Sequence, residues 1–149
     1  LYDYPCNQFV AGFIGSPQMN FVDAKCKVVG NKVYLVAGPS EIELPPAKAK
    51  KLIDGGYEGK TVVLGIRPED VHDEQMFIEA SPSAPMTSVV KVYELLGAEV
   101  FLYFDVNGTQ VTARVDPRTT AKTGDPIKFA FDMEKSHFFD KETELTICN

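Results

Sequence analysis

The chain has 149 residues, 44% hydrophobic and 24% charged, which is one ordinary domain, long enough to bury a core without metals or disulfides. Lys and Arg total 15 against 21 Asp and Glu, a net charge of -6, and this sign argues against nucleic acid, whose binding relies on cations displacing counterions. Cys6, Cys26 and Cys148 are odd in number and lack a CxxC pair, which argues against a disulfide framework or a structural metal and for a reducing cytoplasm.

No apolar run approaches the ~20 residues that span a bilayer. The opening Leu1-Tyr2-Asp3-Tyr4-Pro5 has neither the basic region nor the long apolar stretch of a secretory signal. A chain that starts at Leu rather than Met is expected to be a processed protein or an excised fragment, and without a signal the fragment is the preferred reading.

From the N-terminus, Asn7–Gly15 reads as a short helix with Phe9, Phe13 and Ile14 on one stripe, ended by Gly15-Ser16-Pro17. Strands are predicted at Phe21–Val29 and Lys32–Val36 around a Gly30-Asn31 hairpin turn, with a third at Glu41–Leu44. Pro46 opens a helix through Ala47–Ile53, closed by Asp54-Gly55-Gly56. Thr61–Ile66 reads as a buried strand, apolar on both faces apart from Gly65. Ala80–Pro85, with two prolines and two serines, reads as a loop. Thr87–Leu95 is the next strand. The plainest element is the hairpin from Ala98 to Val115. Val100, Leu102, Phe104 and Val106 alternate with Phe101, Tyr103 and Asp105, Asn107-Gly108 forms a type I′ turn, and Val111, Ala113 and Val115 return on one face. Ile127–Phe131 and Thr143–Ile147 complete the set. Short strands separated by Gly, Pro, Asn and Asp define an all-β barrel or sandwich. The halves Phe21–Ile66 and Thr87–Ile147 are expected to be two small barrels sharing one core.

Catalytic chemistry is hard to find. His72 and His137 lie outside any metal-binding motif, and both are read as structural or surface residues. Gly12-x-x-Gly15, Gly55-Gly56 and Gly59 form neither a phosphate loop nor a GxGxxG turn. Glu69-Asp70 and Asp73-Glu74 read as solvated charge rather than a hydrolytic pair. No catalytic, cofactor-binding or metal residues are expected. Arg67-Pro68-Glu69-Asp70 has two readings. The plainer is a turn with a local salt bridge, worth about 0–1 kcal/mol if exposed; the other is a charged contact with a partner domain, on a corner stiffened by proline. Phe9, Phe13, Ile14, Met19 and Phe21 either cap the barrel or form surface that meets a preceding domain.

Tyr4-Pro5, Asn7 and Phe9-Val10-Ala11-Gly12-Phe13-Ile14-Gly15-Ser16-Pro17-x-Met19-Asn20-Phe21 resemble the junction that follows the nucleotide-binding domain in carbohydrate-importer ATPases of the maltose and multiple-sugar type. Leu64-Gly65-Ile66-Arg67-Pro68-Glu69-Asp70-Val71, Glu94-Leu95-Leu96-Gly97-Ala98-Glu99 and His137-x-Phe139-Asp140 resemble three later landmarks of that family, in the same order. The resemblance implies a C-terminal regulatory domain of OB-like barrels (a TOBE region), with residues 1–20 as junction and 21–149 as two interleaved small barrels. It also implies a homodimer or a pairing with a paralogous ATPase subunit, beneath membrane permease subunits on the cytoplasmic face of the membrane. A cytoplasmic regulator is a further implied partner, and ATP and Mg would belong to a preceding domain. Phe9, Gly12, Phe13, Ser16, Pro17, Met19, Asn20, Gly65, Arg67, Pro68, Glu69 and Phe139 become candidates for interdomain or dimer contact. The runner-up is a small-ligand module for sugars or oxyanions, because related barrel pairs in other transporter ATPases bind such molecules.

Overall fold

The structure is a computed structural model that describes residues 18–83 and 85–148. In chain order its elements are β1 (Asn20–Val29), β2 (Lys32–Ala37), β3 (Ser40–Glu43), α1 (Pro46–Asp54), β4 (Thr61–Ile66), β5 (Val71–His72) and α2 (Gln75–Ala80). There follow β6 (Met86–Val89), β7 (Val92–Leu96), β8 (Glu99–Val106), β9 (Thr109–Val115), β10 (Pro126–Phe131), β11 (His137–Asp140) and β12 (Thr146–Cys148). Two 3-10 turns, Pro68–Asp70 and Met133–Lys135, punctuate it. The chain is an all-β domain with OB-like folds. The helix expected at Asn7–Gly15 lies outside the described residues.

Local chemistry explains most of these elements. In β1 the residues Val22, Ala24 and Cys26 are buried while Asp23, Lys25 and Lys27 face out, the period of two that a half-buried strand requires. Gly30, with φ of 62°, supplies the first-position glycine of a tight hairpin turn between Val29 and Lys32, which pair. Helix α1 starts with Pro46 in its first turn, and Gly55 N–H donates to the Lys51 carbonyl at its end. Its inner face carries Ala49, Leu52 and the stem of Lys48, whose ammonium donates to the Ser136 carbonyl at 2.8 Å. Asn107 and Gly108 take φ of 50° and 80°, the two positive values of a type I′ turn. The β8–β9 hairpin therefore forms in the expected register, with Val100, Leu102, Phe104, Val111 and Ala113 all buried.

The strands assemble into a six-stranded sheet, β12-β11-β4-β1-β2-β3, and two three-stranded sheets, β5-β10-β6 and β7-β8-β9. The C-terminal strands thus return to β4, in the first half of the chain. One continuous core joins the sheets: Val22, Leu35 and Leu64 pack in the same cluster as Leu102, Phe104 and Phe129. The Phe104 and Phe129 rings sit 4.5 Å apart.

Two expectations are corrected. The strand predicted over Thr87–Leu95 is two strands in different sheets. Val90 N–H bonds to the Asp125 carbonyl while Lys91 N–H bonds to Tyr103, so the chain changes partner at that step. The strand predicted from Thr143 begins at Thr146, because the Asp140 carboxylate accepts from the Glu142 and Thr143 amides and holds a turn there. Strands β5 and β11 and the single-turn helix α2 went unanticipated. They are short, and only their long-range partners define them.

Candidate functional site

The exit of β4 builds the first half of the site. Arg67 is extended (φ −77°, ψ 151°), as a residue before proline must be, and Pro68 starts a 3-10 turn closed by Asp70 N–H to the Arg67 carbonyl at 2.9 Å. This corner is interior: Arg67 is 4% exposed and Asp70 8%. The reading of Glu69-Asp70 as solvated charge is therefore corrected for Asp70. Strand β10 pairs across the exit, and Asp132 N–H donates to the Asp70 carbonyl at 2.9 Å.

That pairing sets a face. His72 stands opposite Ala130 and Val71 opposite Phe131, and the Asp132–Asp70 bond extends the ladder one step. Because side chains alternate along strands, Val71 and Phe131 enter the core while Asp70, His72, Ala130 and Asp132 share the other face. One ligand atom from each of Asp70, His72 and Asp132 lies within 4.8 Å of the other two. The His72 ring stacks on Phe77 at 4.1 Å, and its Nδ1 is 3.0 Å from Glu74 Oε2. Burial, and then the nearby charge of Glu69, push the Asp70 carboxyl up to about 6. Asp132 adds to that rise, while Lys135 and His72 oppose it.

Sequence reasoning set His72 aside as structural or surface and Asp70 as solvated. The spacing Asp70-x-His72 was the available signal, since in a strand it puts both on one face. Asp132 had none.

Beside this cluster a cavity of about 300 Å³ opens between the two halves of the chain. Ile42, Leu44 and Pro46 line one side and Phe77, Phe131 and Asp132 the other. Glu43 and Glu134 add carboxylates to its wall. Ser83 Oγ accepts from the Glu43 amide at 2.8 Å and ties the loop after α2 to β3.

The landmark residues fall into two groups. Met19, Val63 and Phe139 form a small buried cluster with Phe21 packed on it. Gly65 sits against it so closely that a Cβ there would lie 2.7 Å from Met19 Sδ and 2.9 Å from Phe139 Cε2. Asn20 is 7% exposed. Its side chain donates to the Thr112 carbonyl at 2.8 Å and accepts from the Thr112 amide at 2.9 Å, clamping β1 to β9. Pro68 is buried and Glu69 half-buried. Phe9, Gly12, Phe13, Ser16 and Pro17 lie outside the described residues. By contrast Leu95 and Leu96 are 59% and 54% exposed, on the edge strand β7, with Val92 also exposed.

Fold and sequence together define a class. Residues 15–71 match the MalK OB fold domain and residues 85–138 the TOBE domain, so the chain carries one domain of each kind in succession. Over 147 residues it is 42% identical to the oligosaccharides import ATP-binding protein MsmX of Bacillus subtilis, covering 99% of this chain and 39% of that protein. It is 40% identical to the multiple sugar-binding transport ATP-binding protein MsmK of Streptococcus mutans, over 99% of this chain and 38% of that one. The trehalose/maltose import ATP-binding protein MalK of Thermococcus litoralis is 37% identical, over 99% of this chain and 39% of its own. The chain spans about two-fifths of the length of these curated relatives and corresponds to their C-terminal part. A solved structure of the cytoplasmic molybdate-binding protein ModG, with molybdate bound, has a TM-score of 0.58 at 16% identity, covering 80% of this chain and 94% of that one. At that identity the likeness concerns the fold alone. Among the described residues, no helix is long and apolar enough to cross a membrane.

Proposed function

We propose that the chain is the regulatory and self-association domain of the ATP-binding subunit of a carbohydrate importer, working at the cytoplasmic face of the membrane. The observation that carries this reading is the match along 99% of the chain to the C-terminal part of sugar-import ATP-binding proteins. ATP and Mg²⁺ are handled by the domain that precedes this region in such subunits, and the region described here supplies no step of hydrolysis.

The mechanism is mechanical. Two such domains in constant contact hold their motor halves at high effective concentration, so closure around ATP becomes nearly intramolecular. A regulator that binds the resting arrangement more tightly lowers ATPase activity by shifting that equilibrium. The surface assigned to the contact is the β7 edge. Val92, Leu95 and Leu96 are exposed there, and β7 bonds only β8 in its sheet among the described residues. An unpaired edge carrying apolar side chains is a template for a second strand, and two copies can pair about a two-fold axis.

The test uses the full-length subunit and the variant Leu95→Lys/Leu96→Lys. Light scattering is expected to show a dimer reduced to monomer in the variant, with ATPase activity falling in parallel. An unchanged dimer mass rejects the β7 contact. Hydrolysis of ATP by the isolated chain rejects the regulatory reading altogether.

The cavity favours a second reading, a small-ligand module. Its wall carries Glu43, Asp132 and Glu134 beside apolar side chains. Carboxylates repel oxyanions, and so the ligand class it fits is a neutral polyol or sugar. Titration calorimetry with maltose, trehalose, molybdate and sulfate separates the cases, and absence of heat with the sugars removes this reading.

A further inference from the structure

We propose that Asp70, His72 and Asp132 form a binding site for one divalent first-row transition-metal ion, of which Zn²⁺ is the type. This goes beyond the regulatory reading and does not depend on it.

The argument starts from the ladder. Pairing of β5 with β10, extended by the Asp132–Asp70 hydrogen bond, sets the two aspartates across from each other and His72 across from Ala130. The fourth corner of this square is the small, buried Ala130. His72 sits in β5, while Asp70 and Asp132 flank the end of the ladder and are joined by one backbone hydrogen bond.

The donor atoms are already gathered. One from each residue lies within 4.8 Å of the other two, and ligands on a single Zn²⁺ at 2.0–2.2 Å stand roughly 3.4 Å apart. Small side-chain rotations close the difference. An imidazole with two carboxylates suits first-row transition ions, whereas Ca²⁺ and Mg²⁺ prefer all-oxygen shells of six or more ligands. Three protein ligands leave one tetrahedral position for water.

Two independent observations point to a ligand. Asp70 is 8% exposed, shares the ligand face, and among the described residues no hydrogen bond or ion pair reaches its carboxylate. Burying a carboxylate in that state is costly unless a cation or donor meets it. The His72 ring is also held from both sides, stacked on Phe77 and bonded through Nδ1 to Glu74. A carboxylate on a ring nitrogen is the device that orients metal-binding histidines. His72 and Asp132 are half-buried, so the site has a path to solvent. Lys135 is the cation that the fold itself places near Asp70, and an incoming ion competes with it.

The experiment titrates the chelator-stripped chain with ZnCl₂, MnCl₂ and CaCl₂ by calorimetry, with native mass spectrometry for stoichiometry. One Zn²⁺ per chain is expected, with weaker Mn²⁺ and no Ca²⁺ binding. His72→Gln and Asp132→Asn are each expected to weaken Zn²⁺ by at least ~10-fold, and Glu74→Gln by about 10-fold through loss of ring orientation. Asp54→Asn, at an exposed acid on the outer face of α1, leaves binding unchanged. Thermal melts without metal confirm that each variant is folded, and three site variants at separate positions protect the test against loss of any one. Equal Zn²⁺ affinity in wild type, His72→Gln and Asp132→Asn, or no binding in the wild type, overturns the proposal.

Discussion

Two of the landmark segments look alike as strings of residues and end up in opposite environments. Leu64-Gly65-Ile66-Arg67-Pro68 runs through the interior, where Gly65 lets the Met19 thioether and the Phe139 ring close over β4. Glu94-Leu95-Leu96-Gly97 runs along an edge, with both leucines mostly in solvent. The first segment is covered by the rest of the chain, so changes there are paid in stability. The second leaves apolar surface uncovered, so changes there should register in association. Equal apolarity does not imply an equal role; what matters is whether the fold covers the side chain.

The largest expected effect breaks the interior segment. Gly65→Ala forces a methyl into the Met19–Phe139 contact, and overpacking of this kind costs about 2–3 kcal/mol. Adding Met19→Ala to that background is expected to return part of the loss, because the flexible thioether is one of the two clashing groups and neighbouring sites are not additive. Urea unfolding of both variants checks this. A Gly65→Ala protein as stable as wild type contradicts the close packing.

Asn20→Ala comes next. It removes both hydrogen bonds to Thr112 and leaves that backbone amide and carbonyl without their partner, at a cost of about 2 kcal/mol. The clamp joins β1 to β9, and so faster amide exchange is expected in β9.

A smaller effect follows from Asp70. Its carboxyl, pushed up to about 6 by burial and then by Glu69, holds its proton more tightly in the folded chain than in the unfolded one. Stability of the chelator-treated chain therefore falls as pH rises from about 4 to about 6, by linkage. Asp70→Asn is expected to flatten that slope and to be the more stable protein at pH 7. An unchanged slope in thermal melts across this range contradicts the assignment.

The smallest effect on stability belongs to the edge. Leu95→Lys/Leu96→Lys replaces exposed side chains and is expected to shift unfolding by no more than about 0.5 kcal/mol, while altering self-association in the full-length subunit. A large loss of stability places these leucines with the interior group and erases the contrast.

Cys26 shows how burial silences a group that sequence leaves open. It is buried in β1 as a free thiol, and desolvation, followed by the charge of Glu58, raises its pKa. Since the thiolate is the reactive form, it is chemically quiet in the folded chain.

The sequence by itself determined the elements whose causes are local. Alternation defined β1 and the β8–β9 hairpin, a continuous apolar run defined β4, Asn107-Gly108 required its turn, and Pro46 with Gly55-Gly56 bounded α1. It also carried the resemblance, through ordered landmarks along the whole chain. Tertiary structure alone decided where Thr87–Leu95 changes sheets, which landmark is covered, and that Asp132 meets Asp70 and His72. Each of these depends on a hydrogen bond or contact between distant residues. Periodicity describes how a strand faces its two sides, and it holds no information about which strand lies next to it.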